Sequence, residues 1–196
     1  MSFPPPALIL ASTSPYRKDL LARLGLPFTV QRPDVDEQAI GGEPPQLRAE
    51  RLALAKATAV AANHARAVII GADQVASCSG SILDKPGNAQ VARAQLQAQS
   101  GRSVLFHSAG AIVDKVRGTR ECFTDLTTVV MRTLSTADID AYIAADQPFD
   151  CAGSLRSEKL GISLCERMES EDPTGLIGLP LIRLCAALRA CGYALP

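Results

Sequence analysis

Apolar positions along this chain fall into two patterns, short unbroken runs and longer stretches with a helical period. "ALIL" (Ala7 to Leu10) is a short run with β-branched content and reads as a buried strand. Ser14 is placed to cap a following helix, with Pro15 at its first position and Gly25 past its end. "PFTVQR" (Pro27 to Arg32) reads as a second strand, followed by the acidic loop "PDVDEQ". "EPPQLRAERLALAKATAVAANH" reads as a long Ala/Leu helix whose stripe Leu47, Leu54, Ala55 and Thr58 faces the core. By that period Lys56 lies about half a turn from Leu47, outside the stripe. "AVIIGADQVA" (Ala67 to Ala76) is a buried strand ending in polar residues. A loop follows, then a helix capped by Asn88 and closed by Gly101. "SVLFHSAGAIVD" and "CFTDLTTVVMR" are rich in β-formers and predict long antiparallel strands. "STADIDAYIAAD" carries a capping signature at Ser135 and Asp138, and "LPLIRLCAALRACG" is a last helix burying Leu181, Leu184, Cys185 and Leu188. With no internal repeat or low-complexity linker, the pattern predicts a single α/β domain with a mixed sheet.

Composition narrows the function classes. The chain has 196 residues, enough for one good core or two lobes sharing a cleft, and 47% of them are hydrophobic. Twenty basic residues balance twenty acidic ones, which argues against a general nucleic-acid or membrane surface. No apolar run reaches membrane-span length, and "MSFPPPALIL" lacks the basic start and long apolar region of a secretory leader. The six cysteines (Cys78, Cys122, Cys151, Cys165, Cys185, Cys191) show no CxxC pair and no metal-ligand spacing. They read as buried free thiols, and the protein is expected in a reducing cytoplasm.

Five polar groups exceed what such a fold needs. Ser14 alone would cap the first helix, so Ser12 and Arg17 are surplus where backbone N–H groups favour anions. Glu37 sits in the loop after the second strand and Lys56 partway along the Ala/Leu helix. Asp73 and Gln74 directly follow a buried run, and Lys85 is held by Pro86 in a turn. Each alone has a plain structural role, as a cap, a solvated helix face or a turn former. Together they suit polyphosphate chemistry. Arg17, Lys56 and Lys85 can spread the charge of a triphosphate, while Glu37 and Asp73 can hold a hard divalent metal or take a proton from water. A GxxxxGK[ST] loop, HExxH and GxSxG are all absent from the sequence, which argues against P-loop enzymes, such metalloproteases and Ser-His hydrolases.

"LILASTSPYRKDLLARLGLPF" closely resembles the opening of the Maf family of nucleoside triphosphate pyrophosphatases, whose hallmark is a Ser-x-Ser-x-x-Arg turn. The resemblance continues through "PDVDE", "RLALAKA", "IIGADQV", "DKP", "QSG" and "CAGSLRSEKLGISLCERMESEDPTGLIGLPL", nearly the whole chain. It implies one Maf-like nucleotide pyrophosphatase domain over residues 1–196, with an α/β fold related to inosine triphosphate pyrophosphatases. In that fold a mixed, twisted sheet is flanked by helices, with two lobes around a central cleft. It also implies cleavage of a nucleoside triphosphate between its α and β phosphates, with a divalent cation (Mg2+ or Mn2+) as cofactor. By position, Ser12, Ser14 and Arg17 would grip phosphates, as would Lys85. Asp73 would be the proton acceptor, with Glu37, Lys56 and Lys85 as further catalytic groups and Glu37 and Asp73 as metal ligands. Many members carry glycine where this chain has Asp84, which adds a carboxylate beside the phosphate site.

Three positions are said to set the base preference within the family, and here they hold Tyr16, Gln74 and Glu158. They look like the branch acting on 7-methyl-GTP, where the first position is commonly tryptophan. The branch acting on thymidine and uridine triphosphates usually has arginine, threonine and glutamine there. N7-methylation makes guanine cationic, so an aromatic face and a carboxylate are apt partners for it. The expectation is a small-molecule enzyme hydrolysing a modified nucleotide, most simply 7-methyl-GTP, without a nucleic-acid polymer or membrane as partner and with a homodimer left open. Two alternatives stand beside it. One is a pyrophosphatase for dTTP, UTP or other non-standard nucleotides; the other is a nucleotide-binding regulator, since family members have been linked to inhibition of septum formation.

Overall fold

The computed structural model of the chain describes residues 5–196. The absence of a secretory leader was expected partly from residues 1–4, which lie outside the described residues. The described residues form an α/β structure with a mixed sheet of seven strands and five α-helices. The strands are β1 (Ala7–Ala11), β2 (Thr29–Gln31), β3 (Ala67–Cys78), β4 (Ser81–Leu83), β5 (Ser103–Asp114), β6 (Thr119–Met131) and β7 (Cys165–Glu169). The helices are α1 (Pro15–Ala22), α2 (Pro45–Ala61), α3 (Ala89–Gln99), α4 (Thr136–Asp146) and α5 (Leu181–Ala190). The sheet order is β2-β1-β3-β5-β6-β7, with β4 paired to β3. β1 runs parallel to both β2 and β3, whereas the β3–β4 and β6–β7 pairs are antiparallel. No helix among the described residues is long and apolar enough to cross a membrane.

The chain divides into two compact units. The first comprises residues 1–73, 108–125 and 172–196; the second comprises 74–107 and 126–171. In the first unit, one face of β1 and β3 (Leu8, Leu10, Val68, Ile70, Ala72) is covered by Leu20 and Leu21 of α1 and by Leu181, Leu184 and Leu188 of α5. The alternate residues of β3, Ile69, Gly71 and Asp73, face the other way, because side chains switch sides at each step of a strand. In the second unit, the Ser135–Asp138 capping box starts α4, and Asn88 caps α3 as its sequence predicts. Gln99, fully buried, donates to the Gly153 carbonyl at 2.9 Å, and the Tyr142 hydroxyl donates to the Ser154 carbonyl at 3.1 Å.

Four expectations are corrected. The buried stripe of α2 is Ala49, Leu52, Ala53, Lys56, Ala57, Val60 and Ala61, while Leu47 is exposed. Leu54, Ala55 and Thr58 are only half-buried, so the expected stripe is about half a turn out of phase with the covered one. The strand that carries Asp73, expected to end at Ala76, continues to Cys78 and pairs there with β4, which the sequence pattern did not suggest. All six cysteines are free thiols, yet only Cys78 and Cys191 are buried; Cys122 is exposed. Cys185 is half-buried, and Ala187 takes its place on the covered face of α5.

Candidate active site

In the first unit, three parallel strands bring the polar residues to the end of their shared parallel pairing. Ala11 of β1 is paired with Gln31 of β2 and with Gly71 of β3, so the residues that follow β1 and β2 start level with the stretch of β3 that carries Asp73. β1 lies between β2 and β3, and the chain leaves it first to one side and then returns to the other. Such a reversal leaves a crevice at the carboxyl ends of the two strands that part there, the usual ligand position in parallel α/β sheets.

The turn after β1 is built by its hydroxyls. Ser12 is buried, and its Oγ accepts the Ser14 N–H at 3.1 Å. The Ser14 Oγ accepts the Arg17 N–H at 3.4 Å, making Ser14 the N-cap of α1. Arg17 is half-buried and donates from Nε to the Gly178 carbonyl at 3.0 Å. Burial lowers the pKa of its guanidinium, opposed by the negative charges of Asp73 and Glu37, and the group stays cationic at neutral pH. Its terminal NH2 groups and the positive end of α1 favour an anion. Tyr16, half-buried, stands in the first turn of the same helix.

Lys56 is buried and bridges two carboxylates. Its Nζ lies 2.6 Å from Asp73 Oδ1 and 3.0 Å from Glu37 Oε1. The Lys56 and Asp73 side chains are only 7% and 11% exposed, so the ammonium group tolerates burial because charge meets charge there. Gly71 makes the approach feasible. A Cβ on it would lie 2.1 Å from the Ala53 carbonyl oxygen and 2.7 Å from the Ala57 nitrogen. α2 therefore rests directly on the backbone of β3, two residues before Asp73. The Glu37 loop is tied to the same helix, for Arg51 pairs with both oxygens of Glu43 at 2.7 Å and donates to the Gln38 carbonyl at 3.3 Å.

The structure thus brings Ser12, Ser14 and Arg17 into one turn and Glu37, Lys56 and Asp73 into one cluster. Tyr16 shares the first unit, and the remaining expected site residues, Gln74, Lys85 and Glu158, belong to the second. Gln74 follows Asp73 in β3, half-buried. Lys85 is exposed in the turn after β4, beside the buried Pro86; Gln95 of α3 holds this turn by donating to the Asp84 carbonyl at 2.8 Å. Glu158 is exposed in a turn that follows Arg156. Arg156 anchors that turn, donating to the Asp146 carbonyl and to Asp150 Oδ1, each at 2.9 Å. Gly71, Arg51, Glu43 and Gly178 were missed as supports. Only Gly71 left a sequence signal, a small residue at the centre of an otherwise bulky buried strand.

Charge over the turn and the cluster together is balanced, Arg17 and Lys56 against Glu37 and Asp73, so a polyanion would call for further positive charge. The two carboxylates converge on a single cationic atom, and hard divalent cations favour such oxygen pairs when substrate phosphates and water complete the shell. Among the described residues no group of three or more His, Cys, Asp or Glu side chains is gathered for a metal. Glu37 and Asp73 therefore fit a cation shared with a phosphate ligand better than one held by protein alone.

These features define an α/β protein whose candidate site stands where the parallel pairing of its strands ends. The chain belongs to the Maf-like protein family, whose sequence model matches residues 7–191. A 7-methyl-GTP pyrophosphatase of a Polaromonas species is 52% identical over 188 residues, covering 96% of this chain and 86% of that protein. Proteins of the same description from Albidiferax ferrireducens and Bordetella pertussis are also 52% identical. They cover 94% and 96% of this chain and 93% and 94% of their own lengths.

Proposed function

We propose that this protein hydrolyses 7-methyl-GTP to 7-methyl-GMP and pyrophosphate. The observation that carries the proposal is the buried Lys56 held between Asp73 and Glu37 in the same unit as the Ser12–Ser14–Arg17 turn. A pure binding module has little use for carboxylates facing a polyanion; a hydrolase needs one to take a proton. The names of relatives about half identical over nearly the whole chain support the substrate.

In this proposal Ser12, Ser14, Arg17 and Lys85 grip the phosphates. Lys56 occupies Asp73 Oδ1 and leaves Oδ2 for the attacking water. Asp73 accepts the water proton as the oxygen bonds to the α-phosphorus, and the α–β bridging oxygen leaves with pyrophosphate. A divalent cation, Mg2+ or Mn2+, held by Glu37 and Asp73 would offset the phosphate charge as it shifts to the leaving group. Tyr16 would stack on the cationic base, and Glu158 and Gln74 would accept and donate hydrogen bonds at its edge.

Asp73→Asn keeps the shape of the side chain and removes its basicity. It should lower pyrophosphate release about a hundredfold or more. Near-wild-type turnover in a folded Asp73→Asn variant would remove Asp73 from the chemistry.

A further inference from the structure

The segment 172–180, which leads into α5, is held by an unusually complete set of side-chain bonds, and it ends on the carbonyl that Arg17 touches. The Asp172 N–H donates to Asp125 Oδ1 of β6 at 3.1 Å. The Ser108 hydroxyl of β5 donates to the Gly175 carbonyl at 2.7 Å. A Cβ on Gly175 would sit 2.4 Å from Asp125 Oδ2, so the loop lies directly on that carboxylate. The loop in turn caps α5, whose Pro180 cap residue offers no side-chain bond. Asp172 Oδ2 accepts the Ile182 N–H at 2.6 Å, and the Thr174 hydroxyl oxygen accepts the Leu181 N–H at 2.8 Å. The Thr174 hydroxyl proton lies between Asp172 Oδ1 (2.6 Å) and the Leu179 carbonyl (2.9 Å). At the end of this lattice Gly178 adopts φ +121°, a conformation that L side chains rarely enter, and turns its carbonyl to Arg17 Nε at 3.0 Å.

A helix cap alone would need only Asp172 and Thr174. The anchoring of both ends of the turn, through Asp125 and Ser108 on one side and α5 on the other, fixes where the Gly178 carbonyl points. That carbonyl takes the Nε–H, and because the guanidinium is planar with its donors in a fixed fork, the terminal NH2 groups are left in a defined direction. We infer that segment 172–180 is a strap that orients Arg17 for phosphate, with Asp172 and Thr174 as positioning residues acting through Gly178. The inference rests on the phosphate role given to Arg17 above.

Thr174→Val removes the hydroxyl and keeps the shape, while Thr174→Ser restores the hydroxyl. Two readouts separate the strap from the proposed reaction. The first is the solvent-exchange rate of the Arg17 Nε–H, followed by NMR and assigned by its loss in Arg17→Ala. It should rise about tenfold or more in Thr174→Val and return to wild type in Thr174→Ser. Gly178→Ala, which strains the φ +121° position and so disturbs the carbonyl, should raise it as well. The second is kcat/KM on 7-methyl-GTP. Thr174→Val should lower it about tenfold with Arg17 present and less than about twofold in an Arg17→Ala background. Unchanged Nε–H exchange in both Thr174→Val and Gly178→Ala would overturn the strap, as would equal losses of activity in the two backgrounds. If exchange responds as expected while the wild type releases no pyrophosphate, the strap stands and the proposed reaction falls.

Discussion

An ammonium group carried into a protein interior costs several kcal/mol unless anions meet it, and Lys56 meets two. Glu37 is more than half exposed and keeps much of its hydration, so the Lys56–Asp73 contact is the one made at low water access. Lys56→Met should therefore leave Asp73 without its buried partner and cost about 3 kcal/mol of folding stability, read by urea denaturation. The paired variant Lys56→Met with Asp73→Leu should recover part of that loss. A single variant as stable as wild type would mean that Asp73 finds other compensation. The sequence marked Lys56 as an anomaly but put it on the wrong side of its helix, because phase was judged from Leu47, which is exposed. Ser12, Ser14 and Arg17 were legible for a firmer reason. The capping position was already filled, so the surplus hydroxyl and guanidinium called for another explanation.

Helix α2 carries Lys56 to β3 only because Gly71 offers no side chain where Ala53 and Ala57 press. Gly71→Ala would force the helix outward, since the contacts are to backbone atoms that cannot rotate away. The expected outcome is a loss of about 1–3 kcal/mol in urea denaturation. A fall in kcat/KM should accompany it, because Lys56 shifts with the helix. Unchanged stability and activity would show that α2 has slack against the strand. Elements with explicit chemical punctuation were readable in advance: Ser14, Asn88 and the Ser135–Asp138 box start their helices where the pattern places them. β4 and β7 were not. "SIL" is too short to show alternation, and "CERME" carries Glu166, Arg167 and Glu169, charges that the outermost strand of the sheet order can keep in water.

The mixed α/β architecture follows from the order of patterns along the chain, and the family follows from motifs that run through it in sequence. The long-range supports of the site were hidden, because a bond such as Arg17 to Gly178 joins residues that no local period connects. In the proposed function the base preference rests on Tyr16, Gln74 and Glu158, and it separates that activity from that of a pyrimidine nucleotide pyrophosphatase. A methyl group at N7 adds a positive charge that a tyrosine ring and a carboxylate reward and that neutral guanine lacks. The measurement is kcat/KM for pyrophosphate release from 7-methyl-GTP, GTP, dTTP and UTP, on wild type and on Glu158→Gln. Wild type should prefer 7-methyl-GTP to all three, and Glu158→Gln should narrow its advantage over GTP by about 1–2 kcal/mol. A wild type that treats 7-methyl-GTP and GTP alike, or that prefers dTTP or UTP, would contradict it.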